Sequence, residues 1–185
     1  MTGQKRTAAH GAPHAGPSHQ VTEWISGELY VSPRPAVPYA VAASELLGEL
    51  SGPFGRGRGG PGGWRLWFAP ELHLGEDVLV PDVAGWRRER MPRTPRTAAL
   101  TPVPDWVCEV LSPFTRTLDQ TAKLPVYARE GVRHVWWVDP DARSLEVLRL
   151  EGSHYRLLAT HTSPARLRAE PFEALEWSPS LLWEE

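Results

Sequence analysis

The chain is predicted to fold as an α/β protein of the α+β kind, with a central mixed β-sheet flanked by helices. Short runs rich in Val, Leu and Trp, bounded by Pro, Gly and Asp, alternate with two segments of helical spacing. The order is helix, several strands, helix, strands. The balance of 41% hydrophobic and 23% charged residues over 185 positions supports a substantial core.

Residues 1–20, "MTGQKRTAAHGAPHAGPSHQ", are polar and Pro/Gly-rich without an apolar period, and are expected to form a disordered tail. His10, His14 and His19 read there as solvated side chains rather than a metal tract. Residues 21–185 are expected to form one domain. "GELYVS" (Gly27–Ser32) reads as a strand ended by "PRP". "VPYAVAASELLGELSG" places Val37, Val41, Leu46, Leu47 and Leu50 at helical spacing, with a stop near Gly52. "GPFGRGRGGPGG" is a Gly-rich turn region, read as a hairpin loop rather than an RGG segment.

"WRLWFAP" is a strand, and "DVLVPDVAGW" another with a Pro-Asp pair in its middle. "RRERMPRTPRTAALTPVP" is a polar, Pro-rich loop. Trp106–Leu111 is a buried strand. A helix runs from about Thr121 to Glu130 and is stopped by Gly131. "RHVWWVDP", "SLEVLRLE" and "HYRLLAT" are three more strands, with "DPDARS" a hairpin turn. "PFEALEWSPSLLW" packs back through Leu175, Trp177, Leu181, Leu182 and Trp183. The chain has no internal repeat.

A net charge of −2 gives no global basic field, so a nucleic-acid partner would be held by a local patch or a metal. The single cysteine, Cys108, forms no internal disulfide and suits a reducing, cytoplasmic setting. No apolar run approaches a membrane span, and no secretory h-region is present. An exposed sheet edge and nine Trp are compatible with a homodimer.

Glu109 interrupts the most apolar strand. Alternation puts Trp106, Cys108 and Val110 on one face, and Val107, Glu109 and Leu111 on the other. Glu109 therefore either reaches a sheet edge or belongs to a site, and a buried carboxylate needs a cation, a proton or a metal. For a lone strand Glu, a structural ion pair is the ordinary reading. Asp82 is a second acid within an apolar strand, and Lys123 follows Glu109 by fourteen residues. Two such carboxylates side by side repel, and a divalent cation relieves the repulsion. Oxygen ligands without His or Cys clusters point to Mg²⁺ or Mn²⁺. A nearby lysine adds charge for a phosphate or for the water that attacks it. The set suits phosphodiester hydrolysis.

These residues lie in "VPDVAGW", "DWVCEVLSP" and "TLDQTAKLPVYAREGV", followed by "HVWWVDP" and preceded by "SGELYVSPRP". In this order and spacing the chain resembles the Uma-type restriction-endonuclease family of bacteria, a branch of the PD-(D/E)XK nuclease superfamily. The resemblance covers roughly residues 21–183. It implies a restriction-endonuclease-like fold, a DNA substrate and Mg²⁺ (or Mn²⁺) held by Asp82, Glu109 and the Val110 backbone. The superfamily lysine normally stands where this chain has Leu111, which makes Lys123, on the next helix, the catalytic candidate beside Asp82 and Glu109.

Asp119, Lys123 and Tyr127 are spaced i, i+4, i+8, on one helix face. Pro125 interrupts that helix, so the regular part begins near it, with Asp119 capping or steering Lys123. Tyr39 stands about where many relatives carry a histidine. Glu28 and Glu71 are candidates for an extra acid, while Glu45 and Glu49 read as a solvated helix face. Arg87, Arg88 and Arg90, with Arg93 and Arg96, read as phosphate contacts or equally as a solvated loop. The alternatives to an endonuclease are a catalytically silent nucleic-acid-binding module on the same fold, and an interaction protein with Glu109–Lys123 as a plain ion pair.

Overall fold

The structure, a computed structural model, describes residues 20–162 and 164–183. The expected tail lies outside these residues except for Gln20, which begins a strand rather than ending a tail. β1 (Gln20–Ile25) pairs antiparallel with β2 (Glu28–Pro33) across a tight Ser26-Gly27 turn, both residues at positive φ. β1 also pairs with β5 (Asp77–Leu79), which pairs with β4 (Leu72–Leu74). These four strands form an antiparallel sheet of order β2-β1-β5-β4.

The larger sheet has six strands in the order β10-β9-β8-β7-β6-β3. They are β3 (Trp64–Phe68), β6 (Val83–Arg87), β7 (Trp106–Val110), β8 (His134–Asp139), β9 (Ser144–Glu151) and β10 (His154–His161). Only β7 and β8 run parallel, because a helical crossover joins them; hairpins or loops join the other neighbours except β3 and β6, which are linked through β4 and β5 of the smaller sheet. The fold is thus mixed α/β, as expected.

The predicted strand "DVLVPDVAGW" is two strands. β5 ends at Leu79 and β6 begins at Val83, so the chain passes from one sheet to the other at Val80–Asp82. Pro81 has no N–H to give a ladder, which makes it a natural break point. The Pro-Asp pair is therefore the seam between the sheets.

Helix α1 (Val37–Leu50) continues into a π-helical turn, Ser51–Gly55. Its buried stripe is Ala42, Ala43, Leu46 and Leu50. Val37 and Val41, expected in that stripe, are 75% and 40% exposed. Ala42, Leu46 and Leu50 are four apart, and that row rather than the valine row faces the sheet. With the C-terminal residues Leu167, Phe172, Trp177 and Leu182 they cover the Trp106, Cys108 and Val110 side of β7. The buried rings of Trp64, Trp106 and Trp136 surround Phe172 at centroid distances of 4.8, 4.9 and 5.6 Å. Cys108 is buried within this core and unpaired, its thiol pushed well up by burial.

The opposite side of β7 carries Val107 and Glu109, as alternation predicts, and meets a second core that includes Leu79, Val126, Tyr127 and Val135. The crossover is α2 (Arg116–Leu118), a π-helical turn at Asp119–Lys123, then α3 (Leu124–Glu130), with Gly131 closing it at φ +81°. Pro125 stands in the first turn of α3, directly after the π-helical turn.

Candidate active site

β7 is an interior strand, so Glu109 does not reach a sheet edge; it sits beneath the helical crossover, 1% exposed. Its Oε1 accepts a 2.6 Å hydrogen bond from the Tyr127 hydroxyl, and its Oε2 lies 3.4 Å from Lys123 Nζ. Lys123 is equally buried. Nζ lies 3.0 Å from Asp119 Oδ1 and 3.0 Å from Glu23 Oε1, and donates to the Val80 carbonyl at 3.5 Å.

The π-helical turn allows this arrangement. It widens the helix by one residue, so Asp119 and Lys123 sit about one turn apart on the face that α3 continues to Tyr127. Of the three residues predicted at i, i+4, i+8, Tyr127 and Lys123 reach Glu109, and Asp119 reaches Lys123. Asp119 Oδ1 is in ion-pair contact with Lys123 yet buried without a hydrogen bond.

Asp82, on the seam between the sheets, is partly exposed. Its Oδ2 accepts from the Val110 N–H at 2.7 Å. The Val110 main chain therefore anchors Asp82 through its amide. Glu23 on β1 accepts from the Val80 N–H at 2.8 Å, so the seam is held on both sides.

Asp82, Glu109, Glu23, Asp119 and Lys123 all line one cavity of about 380 Å³, together with Val110 and Tyr39. Burial raises the Asp82 carboxyl to about 6, against the opposing effect of the Val110 amide. Burial also raises Glu109 well above the usual range, with Asp119 and Asp82 adding repulsion against the pull of Lys123. Desolvation alone would lower Lys123; Glu109, Asp119 and Glu23 outweigh it and hold the ammonium charged. Burial, with the neighbouring Glu109, keeps Tyr127 protonated. One ammonium and four carboxyl groups share this space; burial favours the protonated forms of Asp82 and Glu109, and a cation bound here would displace those protons. The carboxyl oxygens fit a hard divalent ion. Among the described residues, no three His, Cys, Asp or Glu side chains stand as a preformed cage, and Lys123 bridges Glu23, Asp119 and Glu109.

The chain matches the family model Uma2, described as "Putative restriction endonuclease", over residues 14–182. The chain belongs to the Uma2 family. A crystal structure described as a "putative nuclease" from Anabaena variabilis ATCC 29413 superposes with a TM-score of 0.75 at 22% identity, covering 91% of this chain and 93% of that one. That likeness carries the nuclease-like fold. The comparison with curated proteins returned no match.

Not every residue singled out in the sequence joins this cluster. Glu28 is exposed and accepts from Tyr30 at 3.0 Å, and Glu71 is exposed beside His73 at 2.7 Å. Neither lines the cavity. Glu45 is exposed and Glu49 half-buried on α1. Arg87, five residues along β6 from Asp82, lies roughly 16 Å away at the strand rise. It stacks over the Trp64 ring at 4.1 Å. Arg88 donates to the carbonyls of Trp64 and Gly55, and Arg90 pairs with Asp105 at 2.6 Å. These three arginines are engaged at the far end of the strand. Tyr39 does line the cavity, and its hydroxyl donates to Asp141 at 2.9 Å.

Glu23 is the residue that sequence reasoning missed. The signal was the run "VTEWI", in which β-branched and aromatic residues precede a Ser-Gly turn and so mark a strand. No helix in the described residues is long and apolar enough to cross a membrane.

Proposed function

We propose that this Uma2 protein is a metal-dependent endonuclease that hydrolyses phosphodiester bonds in DNA, working in the cytoplasm and able to pair as a homodimer. The observation that supports this most is the meeting of Asp82, Glu109, Asp119, Glu23 and Lys123 in one cavity.

Asp82 and Glu109 are the proposed ligands for Mg²⁺ or Mn²⁺, with the Val110 carbonyl as a backbone ligand. An ion held there supplies Lewis-acid polarisation of a phosphoryl oxygen and of the attacking water. Tyr127 fixes one Glu109 oxygen by donating to it, and the Val110 amide fixes one Asp82 oxygen. Both carboxylates are thereby oriented in advance.

Lys123 stays an ammonium at neutral pH, so its role is electrostatic rather than that of a base. It stabilises charge developing on the phosphate oxygens. Asp119 and Glu23 hold its Nζ from two sides and act as positioning residues. Arg87, Arg88 and Arg90 can meet phosphates only beyond this cavity.

One observation favours a rival reading. Lys123 bridges three carboxylates as a structural ion-pair hub would. Calorimetric titration with Mn²⁺ separates the two. Saturable binding should weaken at least tenfold in both Asp82→Asn and Glu109→Gln. Equal binding in wild type and both variants would remove these residues as ligands, and no binding at all would favour the hub.

A further inference from the structure

Phe114 is 80% exposed, the most exposed large apolar side chain among the described residues. A single apolar residue on a surface is ordinary. Two facts set this one apart. It lines the same cavity as Asp82 and Glu109, and its backbone is pinned. The Ser112 carbonyl accepts from the amides of Thr115 at 3.2 Å and Arg116 at 2.9 Å, and the Ser112 and Thr115 hydroxyls lie 3.0 Å apart. Pro113 fixes φ just before Phe114. Arg116 is tied in turn to Asp139. The turn starts two residues after β7 ends, so the ring is presented from a rigid base beside Glu109.

The cavity walls are mostly apolar, with Val21, Pro33, Pro35 and Pro113 among them. Its basic residues are Arg34 and Lys123, and Lys123 is bound to carboxylates. Rows of cations grip nucleic-acid phosphates in duplex and single strand alike, so the two cations here do not choose between those forms. The Arg87, Arg88 and Arg90 group lies at the other end of β6. The ring does choose: a base inside a duplex has both faces stacked, whereas an aromatic ring at the rim of a cavity with apolar wall area matches the platforms that hold unpaired bases. A volume of about 380 Å³ is at the small end for ligand pockets and suits a single nucleotide unit.

We infer that Phe114 stacks on an unpaired base, and that the DNA strand entering this site is single-stranded at the point of cleavage. The inference rests on the nuclease reading and adds the form of its substrate. Phe114 is a positioning residue in this scheme, since it touches the base and not the reacting phosphate.

The test is steady-state cleavage of a labelled oligodeoxynucleotide with Mn²⁺, offered single-stranded and as its duplex. Wild type, Phe114→Ala and Phe114→Trp are compared, with melting temperature and Mn²⁺ affinity measured for each. A 2-aminopurine base in the strand reports stacking. Wild type should prefer the single strand. Phe114→Ala should raise KM about tenfold with kcat nearly kept and should lose the 2-aminopurine quench, while Phe114→Trp restores both. Melting temperature and Mn²⁺ affinity should not move.

Equal cleavage of both forms, or an unchanged KM in Phe114→Ala, would overturn the inference and leave the nuclease reading standing. A drop in melting temperature or Mn²⁺ affinity in Phe114→Ala would assign the ring a structural role and overturn it too. Cleavage of neither form by wild type would sink both readings.

Discussion

Lys123 sets one positive charge against Glu23, Asp119 and Glu109, all buried. Removing it leaves carboxylates that must either stay charged and uncompensated or take up protons. Without metal, Lys123→Met should therefore lose about 3–5 kcal/mol at pH 8. The loss should shrink at pH 5, where protons replace the ammonium. Melting curves at the two pH values check this, and a pH-independent loss would contradict it. Asp82 runs the other way. Its carboxyl is raised from 3.8 to about 6, so the folded state binds the proton more tightly than the unfolded chain. The contribution favours the fold below about pH 4 and is lost as pH rises through 6. Asp82→Asn should then raise the metal-free melting temperature at pH 7.5 and leave it unchanged at pH 4. No gain at pH 7.5 would mean that Asp82 already has a compensating partner. Glu109, Asp82 and Lys123 were legible because acids and a lysine stand out within apolar sequence. Glu23 was not, because its partners, Lys123 and the Val80 amide, lie far along the chain.

Elements place these residues through two irregularities. One is the break at Val80–Asp82, where β5 hands the chain to β6 and Asp82 is left at the seam. The other is the π-helical turn that brings Asp119 and Lys123 onto the Tyr127 face. Sequence periodicity found the flanking elements but read the first break as a continuous strand. It also started the helix at about Thr121 rather than Arg116. A π-helical turn has no residue signature, and its extra residue per turn blurs the 3.6-residue repeat. β6 itself depends on Gly85. A Cβ there would meet Leu66 Cδ2 at 2.8 Å, Trp106 Cε3 at 3.1 Å and Trp64 Cε3 at 3.3 Å. The Leu66 tip can turn aside, but the two indoles are buried in the core. Gly85→Ala should cost roughly 1–3 kcal/mol through overpacking. Chemical denaturation measures it, and a neutral result would mean that the sheet opens at little cost. A destabilised β6 should also loosen Asp82 and weaken Mn²⁺ binding.

At the scale of the molecule, the cavity is where two sheets and a crossover meet. Glu23 comes from the four-stranded sheet, Glu109 from the six-stranded one, Asp82 from the seam, and Lys123 from the helix. The mixed architecture was legible from the order of elements. The division into two sheets was not, since it depends on long-range pairings such as Trp24 with Val78 that leave no local pattern. The reading proposed for this meeting point is hydrolysis of DNA with a divalent ion. The most direct test is incubation of the purified chain with DNA carrying an unpaired region, with Mg²⁺, Mn²⁺ or EDTA, beside Glu109→Gln. On that reading wild type cleaves the strand with either ion and not in EDTA, and Glu109→Gln falls at least a hundredfold. Cleavage that persists in EDTA, or equal cleavage by Glu109→Gln, would contradict it.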